Sequence, residues 1–149
     1  MDYYQLLATI NLGAQIVVLV LLLAGYWLKR MEKFRQHGMT MLTAVVLHLI
    51  MVFTVMLPSF VSAVIPTVLA NTSAVVLVIG PIHGTIGIIA AVLGVWIVAS
   101  WRLRASLQYC GLDKSKKKLM LFTLVLWLVS IFLGILLYLH FYSTILPWS

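Results

Sequence analysis

All ten lysines and arginines of this chain fall in two short stretches. Lys29, Arg30, Lys33 and Arg35 make the first; Arg102, Arg104, Lys114, Lys116, Lys117 and Lys118 make the second. From Gln36 to Trp101 there is no Asp, Glu, Lys or Arg at all. A soluble fold cannot accommodate so long an uncharged tract, because its surface needs polar cover. With 64% hydrophobic and 9% charged residues over 149, and a mean hydropathy of +1.15, the chain is short of that cover everywhere. Lipid is therefore the solvent for most of it. Basic clusters beside apolar spans mark cytoplasmic loops, so residues 29–35 and 102–118 are expected on the cytoplasmic face of the cell membrane. The formal net charge of +7 then reports orientation in the membrane and not nucleic-acid binding.

Crossing the hydrocarbon core takes about 20 helical residues. Three spans read directly: 6–28, ended by Lys29-Arg30; 39–57, closing at Pro58; and 119–141, opening after the Lys116–Lys118 run. The first is too long for a signal-peptide core and has no basic residues before it, so cleavage is not expected. The uncharged tract holds one further span or two. Only one keeps both basic loops on the same face, and Gly80-Pro81 is a plausible opening because proline is tolerated in a first helical turn. The third span is thus placed at 82–101. The expectation is an all-α, single-domain, integral membrane four-helix bundle with both termini outside. Residues 59–80, with Pro66 and the polar Asn71-Thr72-Ser73, then form an apolar outer segment. They fold either as an interfacial hairpin or as a long continuation of helices two and three.

Chemistry is scarce. There is no Ser-His-Asp set, no Gly-rich phosphate loop and no cysteine pair, Cys110 being single. The three acidic residues are Asp2, Glu32 and Asp113, all outside the spans, so intramembrane carboxylate chemistry is excluded and an enzyme is not the expected reading. Four histidines remain. Intramembrane ionisable groups are costly and are functional candidates by default. His37 lies at the entrance of helix two, and is either a metal ligand or an interfacial cation. His48, eleven residues on, is either a ligand or a neutral packing residue. His83 and His140 are read either as a pair at the outer side that binds a metal or haem, or as two residues merely hydrated at the interface. His83 is nineteen residues from Arg102 and His140 twenty-two from Lys118, or about 29 and 33 Å of helix, a mismatch that tilt absorbs. Gly84 and Gly87 either let helices pack closely or make room for a flat macrocycle beside His83.

The C-terminal half resembles a known family. Trp127-Leu128, Gly134 and Tyr138-Leu139 resemble the last helix of the YozB/CtaM-type membrane proteins, a four-helix family with members linked to cytochrome c oxidase assembly. Arg35-Gln36-His37-Gly38-Met39 resembles the family's approach to helix two, and Ile82-His83 its histidine in helix three. The resemblance covers residues 30–142 and departs at Lys116, where the family carries a histidine. It implies a small membrane subunit or accessory factor, with other membrane subunits of a respiratory electron-transfer complex as partners. Haem b between two histidines is the first cofactor to consider, and copper is the alternative. A cofactor-free assembly factor and a purely structural subunit are the competing functions.

Overall fold

The computed structural model describes residues 3–66, 74–102 and 114–142. They form four long helices, α1 (Tyr3–Arg30), α2 (Phe34–Met51), α3 (Ala74–Arg102) and α4 (Lys114–Tyr142), with no strand among them. Each contains a stretch long and apolar enough to cross a membrane: Gln5–Arg30, Phe34–Ser62, Leu77–Arg102 and Lys117–Tyr142. The chain is a multi-pass helical membrane protein. Its exposed side chains include Ile88, Val92 and Trp96, one turn apart along α3, a surface that only lipid or another apolar body can solvate.

The helices close a ring. α1 packs mainly on α2 and α3 on α4, while α2–α3 and α1–α4 contacts complete the circuit. At one end Gly38 of α2 lies against Trp101 of α3, and Lys29 of α1 reaches Met120 of α4. At the other end Thr9 hydrogen-bonds Tyr138, Oγ1 to OH, at 3.0 Å. Both described basic clusters therefore share one end of the bundle, as an even number of crossings between them requires. Val18, Leu22, Ala44, Val45, Ala90, Val98, Trp127 and Ile131 form the core, two from each helix.

The turn between α1 and α2 is tight. Glu32 adopts φ 59°, the left-handed cap that ends α1, and Lys33 N–H donates to the Leu28 carbonyl at 3.0 Å. Without water, hydroxyls along the spans turn to carbonyls of their own helix. Thr43 donates to the Met39 carbonyl, Thr54 to Ile50, Ser62 to Pro58 and Thr123 to Leu119, at 2.7–3.1 Å.

Two boundaries differ from the sequence reading. Span two does not close at Pro58; the helix runs on through residue 66. It does so by widening into π-helical turns at Val52–Met56 and Phe60–Val64, one on each side of Leu57–Ser59. Proline removes a backbone donor, and a π turn re-partners the freed carbonyls. Span three does not open at Gly80-Pro81 either: α3 starts at Ala74, with Pro81 in its interior. The long continuation, not the hairpin, is what residues 59–66 and 74–80 adopt. The polar turn at 71–73 and Cys110 lie outside the described residues.

Candidate functional site

The apolar periodicity of α2 and α3 leaves few positions for a polar side chain, and three are occupied by histidine. Each ring is held in the same way. His37 Nδ1 lies 2.7 Å from the Gly25 carbonyl oxygen, His83 Nδ1 lies 2.9 Å from the Ser130 carbonyl oxygen, and His48 Nδ1 lies 3.2 Å from Gln15 Oε1. A carbonyl oxygen only accepts, so in the neutral ring Nδ1 must carry the proton and donate it. Nε2 is then a bare lone pair. This is the tautomer and orientation in which proteins present histidine to a metal.

These contacts form a ladder along the bundle. The lowest rung is at the basic end, where Gly38 meets Trp101 and His37 is buried beside Gly25. Above it Gly94 faces Trp127 and Val45. His48 sits edge-on to Trp127, ring centroids 4.9 Å apart at 69°, with Gln15 on its other side. Ser130 and Gly134 come next and receive the His83 ring, whose Cε1 is 3.1 Å from where a Gly134 Cβ would stand. Trp127 to Ser130–Gly134 is three to seven residues, or about 5–10 Å of rise. His48 and His83 consequently occupy neighbouring rungs.

The ladder sets His83 and His140 at different heights along α4. His83 is in mid-helix, nine residues past Ala74, not in a first turn. Its ring is level with Ser130–Gly134, so His140 stands six to ten residues, about 9–15 Å, further along α4. His140 instead packs edge-on beside Phe141, centroids 5.5 Å apart. The glycine expectation divides too. A Cβ at Gly84 would meet nothing within 4 Å, and one at Gly87 would meet only the Ser130 hydroxyl at 3.0 Å. The close approaches belong to Gly38, Gly94 and Gly25.

A cavity of about 60 Å³ opens at the basic end, with His37, Met41, Met120, Trp101, Thr123 and Trp127 among its walls. It has room for a few waters or a single ion, and none for a porphyrin. His37 reaches its wall as expected of an entrance histidine. The sequence reading missed Gln15, Ser130, Met41 and Met120. Gln15 carried a usable signal, being an amide inside an apolar span with Asn11 one turn before it. Both keep a buried polar atom without a partner, Gln15 Nε2 and Asn11 Oδ1. Among the described residues no three His, Cys, Asp or Glu side chains converge. No protein-family model, curated protein or solved structure matches this chain.

Proposed function

We propose that this chain is a small accessory factor of a respiratory electron-transfer complex, which handles a metal ion through histidine and holds no haem. The basic end faces the cytoplasm and both termini lie outside, since lysine and arginine are retained on that face during insertion. The respiratory assignment rests on the resemblance of residues 30–142 to the YozB/CtaM-type proteins. The metal-handling part rests on one observation, the His37 imidazole with Nδ1–H fixed to the Gly25 carbonyl and its ring in a cavity wall.

Haem b does not fit the residues offered for it. The His83 ring is closed against α4, with Ser130 and Gly134 in contact. A macrocycle there would have to separate α3 from α4, which pack on each other along much of their length. The visible spectrum of the purified protein tests this directly: the expectation is no Soret band. A Soret band with split α and β bands would overturn it. Removing the chain from its host is expected to lower the amount of an assembled terminal respiratory complex on native gels, and unchanged complexes would refute the accessory role.

A further inference from the structure

The cavity at the basic end has an unusual donor set. Its walls supply one imidazole, two thioethers and two indoles, and its one hydroxyl, that of Thr123, has its proton committed to the Leu119 carbonyl at 2.9 Å. There is no carboxylate. Hard cations such as Mg²⁺ and Ca²⁺ require oxygen ligands and find a single hydroxyl here. Zinc sites are built on thiolate, imidazole and carboxylate, and thiolate and carboxylate are missing. Thioether sulfur with imidazole is what a soft monovalent ion selects. Indole faces attract cations as well, most strongly where water is excluded. We infer that this cavity is a Cu(I) site, with His37 Nε2, Met41 Sδ and Met120 Sδ as ligands.

Two features of the packing support the inference. His37 and Met41 are one turn apart on α2, so both project to the same side. Gly25 of α1 then serves each of them. Its carbonyl fixes the His37 ring at 2.7 Å, and its missing Cβ leaves the space that Met41 fills, since a Cβ there would stand 2.6 Å from Met41 Cε. Trp101 and Trp127, both almost fully buried, keep indole N–H groups without a hydrogen-bond partner. Two rings have thus been placed in the wall at a cost in unsatisfied polar atoms. One neighbour has to give way to the ion. Lys29 Nζ is 3.8 Å from Met120 Sδ. Its long stem lets it withdraw toward headgroups when a metal ion arrives. The set is neutral, so a bound Cu(I) keeps its single positive charge, which favours brief holding and transfer over permanent storage.

This inference deepens the metal-handling reading and supplies its metal. The test is anaerobic titration of the full chain in detergent with Cu(I), against a chromophoric Cu(I) chelator. One ion per chain is expected, accompanied by quenching of tryptophan fluorescence, which Ag(I) should reproduce. Met→Leu swaps conserve volume and keep the core packed. The Met41→Leu and Met120→Leu variants should each bind at least about tenfold more weakly, since even outer-shell partners of a metal ligand are worth that much. Their unfolding temperature should be unchanged. His37→Gln, whose amide N–H can still reach the Gly25 carbonyl, should lose affinity while remaining folded. Failure of the wild-type chain to take Cu(I) from the chelator, or equal affinity in the double Met→Leu variant, would overturn the site. Cu(I) binding by a chain whose removal leaves respiratory complexes intact would sink the accessory role and leave the site standing. Loss of complexes without Cu(I) binding would do the reverse.

Discussion

Replacing Gly94 by alanine tests whether the bundle is held by close contact at the Trp127 rung. A Cβ built on Gly94 would stand 2.6 Å from Trp127 Cζ3 and 3.1 Å from Cη2, with Val45 Cγ2 at 3.5 Å behind it. The first distance falls about 0.8 Å short of the 3.4 Å at which ordinary contact begins. Trp127 is 3% exposed and has His48 edge-on to it, so the indole can yield only into the cavity it lines. The clash is relieved either by crushing that cavity or by moving α3 away from α4. Overpacking of this kind costs about 1–3 kcal/mol, against which alanine gains up to about 1 kcal/mol of helix propensity over glycine. Gly84→Ala is the control, since it gains the same propensity and meets nothing within 4 Å. The difference between the two variants cancels propensity and isolates the clash at about 1–3 kcal/mol. For a chain of this length that is roughly 3–9 °C in unfolding temperature. Thermal unfolding in detergent, followed by tryptophan fluorescence, should place Gly94→Ala below the parent and Gly84→Ala at or above it. Equal midpoints for the two variants would refute the packing argument.

Other outcomes follow from individual contacts. A double-mutant cycle with Gln15→Leu and His48→Leu should return a coupling of about 0.6 kcal/mol, the usual size for hydrogen bonds within membranes, and zero coupling would mean the 3.2 Å contact is not a bond. His83→Leu removes the donor to the Ser130 carbonyl and should lower stability by about 0.5–1.5 kcal/mol in chemical or thermal unfolding. Glu32→Gly should raise the melting temperature, because a left-handed residue with a Cβ costs about 1–2 kcal/mol and glycine does not bear that cost. Cys110, in the second basic loop, should react with membrane-impermeant thiol reagents from the cytoplasmic side only; labelling in intact cells would reverse the proposed orientation.

Charge placement made the four spans legible, because ten basic residues in two groups admit only an even number of crossings between them. What it could not locate were the helix ends in the uncharged tract. Pro58 and Pro81 read as boundaries by the rule for water, where a freed carbonyl is solvated and the helix stops. Inside a bundle that carbonyl must find a partner in the helix itself, and the π turns beside Pro58 show how. Histidines were legible as candidates, but the contacts that hold them were not. Counting residues from the basic flanks treats helices as parallel rods, whereas contact on one rung depends on tilt and on which side chains are small enough to admit a ring. Ser130 and Gly134 admit His83, and no residue count names them. Met41 and Met120 were invisible for a different reason: in an apolar span a methionine is indistinguishable from filling until it is found lining the same cavity as a histidine.

The carbonyl lock on each buried imidazole has an electrical consequence. A membrane that stores a proton gradient must not contain a string of groups able to pass protons from hand to hand, and histidines at several depths are the obvious material for one. A ring relays a proton by accepting it at one nitrogen and releasing it from the other. Here the releasing nitrogen of His37 and of His83 faces a main-chain oxygen, and that of His48 an amide oxygen. For a proton to pass through any of these rings, the bond that fixes its Nδ1 proton must first break. The contact that orients each base thus also hinders it as a relay.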